Sequence, residues 1–197
     1  MNCFHFAFGT VVLACEFTLR ISDGPTKVNC SEELVLGIPV GNYLRQASNK
    51  ILWHFDSLVE KFLRTGIKIK RIPMMDNIHK INDSHRLLIT GEMERIHREW
   101  FRRYHNLYRP KTTEYIRKGA TFSDDQLELM RSRQIKLRDE LTMKLKYEGV
   151  SVLICPSTND IPPEGLESTG DPVMNIPWSN SGLPTVSLPI GVDDLRG

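Results

Sequence analysis

Leu34-Val35-Leu36-Gly37-Ile38 is a short apolar run closed by Pro39, the make-up of a strand buried on both faces. Beyond it, Leu44, Ala47, Ile51, Phe55, Leu58 and Phe62 recur at three- and four-residue steps, which puts them on one helical face, and Gly66 lies just past the expected end. Ile67 to Ile72 then alternates as a half-exposed strand does and is stopped by Pro73. The three pieces predict a strand-helix-strand unit, right-handed if its strands are parallel.

The middle of the chain is helical and charged. Ile78, Ile81, Leu88, Met93, Ile96 and Trp100 form an imperfect apolar stripe in a long helix expected to end before Pro110. A second helix is expected from Ser123, whose hydroxyl caps the exposed amides while Gln126 reaches back in a capping box. Its apolar positions Leu127, Met130, Leu137, Leu141 and Leu145 share a face, and Gly149 ends it. Val150 to Cys155 reads as an apolar strand stopped by Pro156. Seven of the 11 prolines lie from Pro156 onward, so Ser157 to Leu183 is expected to be a long ordered loop rather than a helix, followed by a final strand from Pro184 to Ile190.

With 197 residues and 40% apolar content the chain can bury one sizeable core. Its 26 basic and 24 acidic residues are interspersed, which gives no general argument for a nucleic-acid or membrane partner. Cys3, Cys15, Cys30 and Cys155 show neither zinc-type spacing nor the density of a disulfide framework, so they read as reduced thiols of a cytoplasmic protein. Phe4 to Cys15 lacks charge, yet no basic residue precedes it and no small-x-small site follows; a secreted chain is the lesser reading. The expected division is an N-terminal segment of separate origin over 1–32, an α/β domain over 33–191 and a short tail over 192–197.

Local constellations have plain readings. Glu94-x-x-His97 occurs once, where a di-metal bundle needs it twice with further carboxylates, so it reads as a solvated pair. The run Arg98, Arg102, Arg103, Arg109 and Lys111, with Trp100, Phe101, Tyr104 and Tyr108 between them, lacks an accompanying nucleic-acid module, and Glu92, Glu94 and Glu99 share it. Cys155 has no nearby base to activate it and reads as a buried, inert thiol. G-x-S-x-G, S-x-x-K and the phosphate-binding G-x-x-x-x-G-K are all absent.

Four segments, taken in order, carry a resemblance. These are Leu36-Gly37-Ile38-Pro39-Val40-Gly41 with Gln46-Ala47; Arg117-Lys118-Gly119 followed by Ser123; Leu153-Ile154-Cys155-Pro156-Ser157-Thr158; and the most specific, Gly170-Asp171-Pro172-Val173-Met174-Asn175-Ile176-Pro177-Trp178 continuing to Gly191. Together they resemble the later part of the amidase-signature family, serine hydrolases that cut amide C–N bonds. The resemblance implies a partial mixed α/β sheet flanked by helices, as in the C-terminal portion of that fold. It also implies acyl transfer by two serines and a buried neutral lysine, with no metal or organic cofactor.

In family order those catalytic residues precede Leu34, so no catalytic residue is assigned in this chain. The resemblance therefore implies a C-terminal fragment of an amide hydrolase, inactive by itself, or alternatively a non-catalytic binding or regulatory chain that keeps the substrate-side loop. Its expected partners are an amide-containing small molecule and the missing amino-terminal half or a partner chain, since a sheet lacking strands leaves open edges. Ser157, Thr158, Asp171, Asn175 and Trp178 are the substrate-pocket candidates. The plainer role for Asp171 and Asn175 is holding the loop by side-chain to backbone bonds, and for Trp178 packing beneath it.

Overall fold

The computed structural model describes residues 8–12, 34–165 and 167–191, with backbone alone at 8–12 and 189–191. The readings made for Phe4 to Ala7, Leu13 to Cys15, Cys3, Cys30 and the tail from Val192 lie outside the described residues.

The strand-helix-strand unit is present as read. Strand β2 (Val35–Val40) leads through a single 3₁₀ turn (Leu44–Gln46) into helix α1 (Asn49–Arg64), which is capped by the Ser48 hydroxyl accepting from Ile51 N and returns as strand β3 (Lys68–Pro73). The strands β2 and β3 are parallel, in register from Val35 with Lys68 to Val40 with Pro73. Strand β4 (Val152–Leu153) lies parallel on the other side of β2, giving the order β3-β2-β4 with β2 central. Centrality explains why Leu36 to Pro39 is buried throughout. Leu36 and Ile38 pack with Phe55 and Val59 of α1. On the opposite face Gly37 has no side chain, and a Cβ there would stand 2.8 Å from both Leu153 Cδ2 and Val150 Cγ1.

Several strand boundaries differ from expectation. Pro39 does not stop β2, which continues to Val40, and β4 covers two residues rather than the six from Val150 to Cys155. In the parallel register the Ile154 amide donates to Gly37 O at 2.8 Å. The next two donors in that ladder would be the nitrogens of Pro39 and Pro156, and neither carries a hydrogen. The pairing of β2 with β4 therefore ends there, while β2 goes on pairing with β3.

Helix α2 (Ile78–Tyr104) runs 27 residues, and a 3₁₀ turn (His105–Leu107) then leads into α3 (Pro110–Gly119). Pro110 thus opens a helix, as proline's fixed φ favours at a first turn. The long helix α4 (Asp124–Glu148) has the expected capping box: the Gln126 amide donates to Ser123 Oγ (3.2 Å) and the Ser123 amide to Gln126 Oε1 (2.9 Å). It ends at Gly149, which is left-handed at φ 59°. The apolar positions read for it, Leu127, Met130, Leu137, Leu141 and Leu145, are all buried. Two glycines bring the helices together. A Cβ on Gly119 would lie 2.3 Å from the backbone oxygen of Thr90, and one on Gly91 would lie 2.4 Å from Leu127 Cδ2. Arg95 fastens the α3–α4 turn to α2, its guanidinium donating to Phe122 O (2.8 Å) and to Asp124 Oδ1 (2.7 Å).

The stretch Ser157 to Leu183 is not wholly a loop. It contains helix α5 (Ile176–Ser181), with a proline in its first turn and Gly182 at φ 64° closing it. The final strand β5 (Ser187–Gly191) is shorter than read and pairs antiparallel with β1 (Phe8–Val12) in a separate two-stranded sheet.

The Gly119 contact yields a prediction. Because the obstructing atom is backbone, Gly119→Ala should lower unfolding free energy by about 1–3 kcal/mol in urea titration. Lys118→Ala, on the exposed neighbour, should change it by less than about 0.5 kcal/mol.

Candidate functional site

The carboxyl ends of β2 and β4 converge on one buried hydroxyl. After β2 the chain turns at Gly41, held at φ 101°, and places Tyr43 wholly inside the core. Its Oη donates to Met174 O (2.9 Å), accepts from Trp178 Nε1 (3.0 Å) and lies 3.1 Å from Cys155 Sγ. The Tyr43 and Trp178 rings meet edge to face with centroids 5.5 Å apart. Burial, reinforced by the Cys155 thiol, holds the Tyr43 hydroxyl well above the ordinary tyrosine range, so it remains a neutral donor. Cys155 is sealed beneath it, as an inert thiol would be.

This hub and a set of short bonds anchor the segment from Ser157 to Gly182. Asn175 Nδ2 donates to Ser157 O (2.7 Å), the Val173 amide donates to Asp171 Oδ1 (3.1 Å), and Thr158 Oγ1 donates to Asp160 O (2.7 Å). Arg138 of α4 donates to the carbonyls of Ser181 and Gly182, both at 2.9 Å.

Between the anchored segment and α2 lies an open cavity of about 840 Å³. Of the residues singled out from sequence, Thr158, Asp171 and Asn175 are on its wall. Ser157 stands behind the wall, its carbonyl holding Asn175. Trp178 is in the core under the loop, with its indole N–H spent on Tyr43, and does not line the cavity. The opposite wall comes from residues that sequence reading passed over: His85, Arg86, Ile89 and Thr90 of α2, and Tyr115 of α3. Their one sequence signal is spacing, since 85, 86, 89 and 90 share a helical face. It is indistinguishable from an ordinary amphipathic turn until the loop is seen to face it.

The wall has defined chemistry. Arg86 is half-exposed, and its guanidinium stands 3.8 Å from Asp83 and 3.9 Å from Asp171, too far for good hydrogen bonds to either. His85 Nδ1 is buried and has no hydrogen-bond partner among the described residues. Burial lowers the His85 imidazole below the ordinary histidine range and the charge of Arg86 adds to this, while a hydrogen bond with Asn180 opposes it. A guanidinium, a neutral imidazole and the Asn175 amide thus face a cavity of mixed lining, in which Ile89, Ile161 and Pro172 supply apolar surface beside the carboxyl-bearing Asp160 and Asp171 and the hydroxyl-bearing Thr90 and Thr158. Such a surface orients a polar group on a largely apolar small molecule.

Glu94 and His97 do not come together as ligands. Glu94 accepts from Arg98 Nε (2.7 Å) and Arg95 (3.1 Å), which holds its carboxyl below the ordinary glutamate range, and His97 Nδ1 lies 2.9 Å from Tyr108 Oη. Among the described residues no group of three or more His, Cys, Asp or Glu side chains converges as a metal site.

Two outcomes follow from this geometry. Tyr43→Phe strands the Trp178 indole N–H in the core and should cost about 2 kcal/mol in urea unfolding. His85, with its lowered folded value, binds a proton more readily when unfolded. Its contribution to stability should therefore fall as pH drops through about 6.5, so the stability of the native chain relative to His85→Gln should decline between about pH 7.5 and pH 5.5.

No family model matches the chain. A segment of 55 residues is 42% identical to a glutamyl-tRNA(Gln) amidotransferase subunit of Acaryochloris marina (strain MBIC 11017), covering 24% of this chain and 11% of that protein. The fold is similar to that of a solved amidase, with a TM-score of 0.71 and 16% identity over 88% of this chain and 49% of the amidase. The chain thus spans about half the length of the amidase whose fold it shares and about a tenth of the amidotransferase protein. These matches agree with the ordered motifs from Leu36 to Gly191: a short stretch of the sequence is similar to the amidotransferase subunit, and the fold is that of part of an amidase.

Proposed function

We propose that this chain is the substrate-side part of an amide hydrolase and does not turn over amides by itself. The observation that carries the reading is the cavity beyond the carboxyl end of β4, walled by the Thr158 to Asn175 segment, in a chain whose fold matches an amidase over 88% of its length. Open α/β sheets bind ligands at that end of their strands.

The chemistry of the proposal divides between two parts of the complete enzyme. A serine oxygen attacks the amide carbonyl, the amine leaves with the proton that the serine gave up, and water then releases the acid. The serines and lysine for these steps belong to segments that precede Leu34 in family order. This chain's share is recognition: Arg86 and Asn175 hold a polar group of the substrate, and Ile89, Ile161 and Pro172 exclude water from its apolar body. The reading places the chain in the cytoplasm, in keeping with a buried thiol at Cys155.

A second reading has its own support. The cavity is walled by the chain's own residues, so a non-catalytic binding chain would already possess a ligand site. One pair of assays separates the two. The purified chain is expected to show no hydrolysis of a simple aryl or aliphatic amide, and turnover should appear when it is joined to the amino-terminal half of an amidase-signature domain. Calorimetric binding of an amide without turnover in either form would favour the binding chain. Steady hydrolysis by the chain alone, abolished by changing one of its serines, would overturn both readings.

A further inference from the structure

The second half of α2 carries an apolar stripe that is largely exposed beyond the half-buried Met93. Ile89, Met93, Ile96, Trp100 and Tyr104 fall within about 80° of helical arc and extend for about 22 Å. Leu107 lies in the turn that follows the helix. Ile96, Trp100 and Tyr104 are each more than half exposed, and Leu107 is 76% exposed. Helix α3 and helix α4 pack on other faces of α2, through Thr90, Gly91 and Glu94.

The charge around the stripe indicates what covers it. From Ile96 to Lys118 there are seven lysines and arginines against two glutamates, in a chain that is otherwise nearly balanced. Arg103 flanks the stripe on α2, and Arg109 and Lys111 follow Leu107, all three exposed. The acids on that flank are already engaged, Glu99 with Arg102 at 3.1 Å and Glu92 with Arg131 at 3.2 Å. A second copy of the chain would bring two positive surfaces together, which opposes self-association. Single-stranded nucleic acid uses aromatic faces for stacking, but the two most exposed members here are the aliphatic Leu107 and Ile96, which stacking does not use. An anionic lipid surface satisfies every component: aliphatic side chains enter the acyl region, Trp100 and Tyr104 sit at the headgroup level, and the arginines meet lipid phosphate and carboxylate.

We propose that the α2–α3 hairpin tip is a peripheral docking surface for anionic membrane. This is adsorption to a surface and not insertion across it, since among the described residues no helix is long and apolar enough to cross a membrane. Docking does not depend on the hydrolase reading, and vesicle binding is measured without any amide.

The test is cosedimentation of the full chain with phosphatidylcholine vesicles containing about one third phosphatidylserine, and with pure phosphatidylcholine vesicles. Binding is expected to the anionic vesicles, to weaken at least about tenfold between about 0.1 M and 0.5 M salt, and to be weak or absent on the neutral ones. Trp100→Glu with Leu107→Glu should reduce it by at least about tenfold. Arg103→Glu with Arg109→Glu should do the same while leaving every apolar residue in place, which decides the matter if the first variant misfolds by circular dichroism. The proposal is overturned if the chain ignores anionic vesicles, or if both variants bind as the native chain does. It is equally overturned if the stripe proves to mediate a dimer, or capture of a single-stranded RNA oligonucleotide, in place of vesicle binding.

Discussion

Tyr43 carries a hydroxyl into the fully buried core, and the arrangement around the cavity follows from how that one polar group is satisfied. A buried hydroxyl left without partners costs about 1–3 kcal/mol. Here its partners come from opposite ends of the domain: Met174 and Trp178 lie more than 130 positions away in the chain, and Cys155 lies at the end of β4. Satisfying the hydroxyl pins the start of α5 to the carboxyl ends of β2 and β4. Once α5 is pinned, the segment between Ser157 and Asn175 has its two ends fixed, and the short bonds of Thr158, Asp171 and Asn175 hold the residues next to those ends.

A second constraint governs the helices. The α2–α3 approach is close enough that a Cβ at 119 would run into backbone, whereas at Gly91, where α4 crosses α2, it would meet the Leu127 side chain. Close backbone approach places Glu94 in the interface, where it pairs with Arg98 and Arg95, and Arg95 in turn binds the turn that launches α4. The Arg117-Lys118-Gly119 motif followed by Ser123 thereby acquires a physical meaning. Its glycine sets helix separation and its serine starts the next helix, so the two residues fix where α4 begins and how far from α2 it lies.

The cavity and the exposed stripe are two uses of α2. At its amino-terminal end Ile78 and Ile81 are core, in the middle His85, Arg86 and Ile89 face the cavity, and from Ile96 onward the same helix exposes Trp100 and Tyr104. Ile89 belongs to both the cavity wall and the stripe, so the apolar surface is continuous from one to the other. A single helix of 27 residues, about 40 Å long, is what makes this possible in so small a chain.

What the sequence by itself determined is everything governed by neighbours along the chain. The capping box of Ser123 and Gln126, the stop at Gly149, the apolar face of α4 and the β2-α1-β3 order could be read because each depends on spacing of a few residues. The four ordered motifs made the resemblance to amidases legible for the same reason. Tertiary structure alone decided where the runs go. Strand β4 is cut to two residues because Pro39 and Pro156 occupy the next two donor positions of one ladder, which neither proline reveals by itself. Trp178 turned inward because Tyr43 supplies its acceptor, whereas Thr158 and Asn175 took the cavity wall. The clearest case is Ile78 and Ile96, eighteen residues or five turns apart and so on one face of one helix: the first is fully buried and the second lies in water. Periodicity reports which side of a helix a residue occupies, but burial depends on what lies against that side, and only the packing of the other elements supplies it.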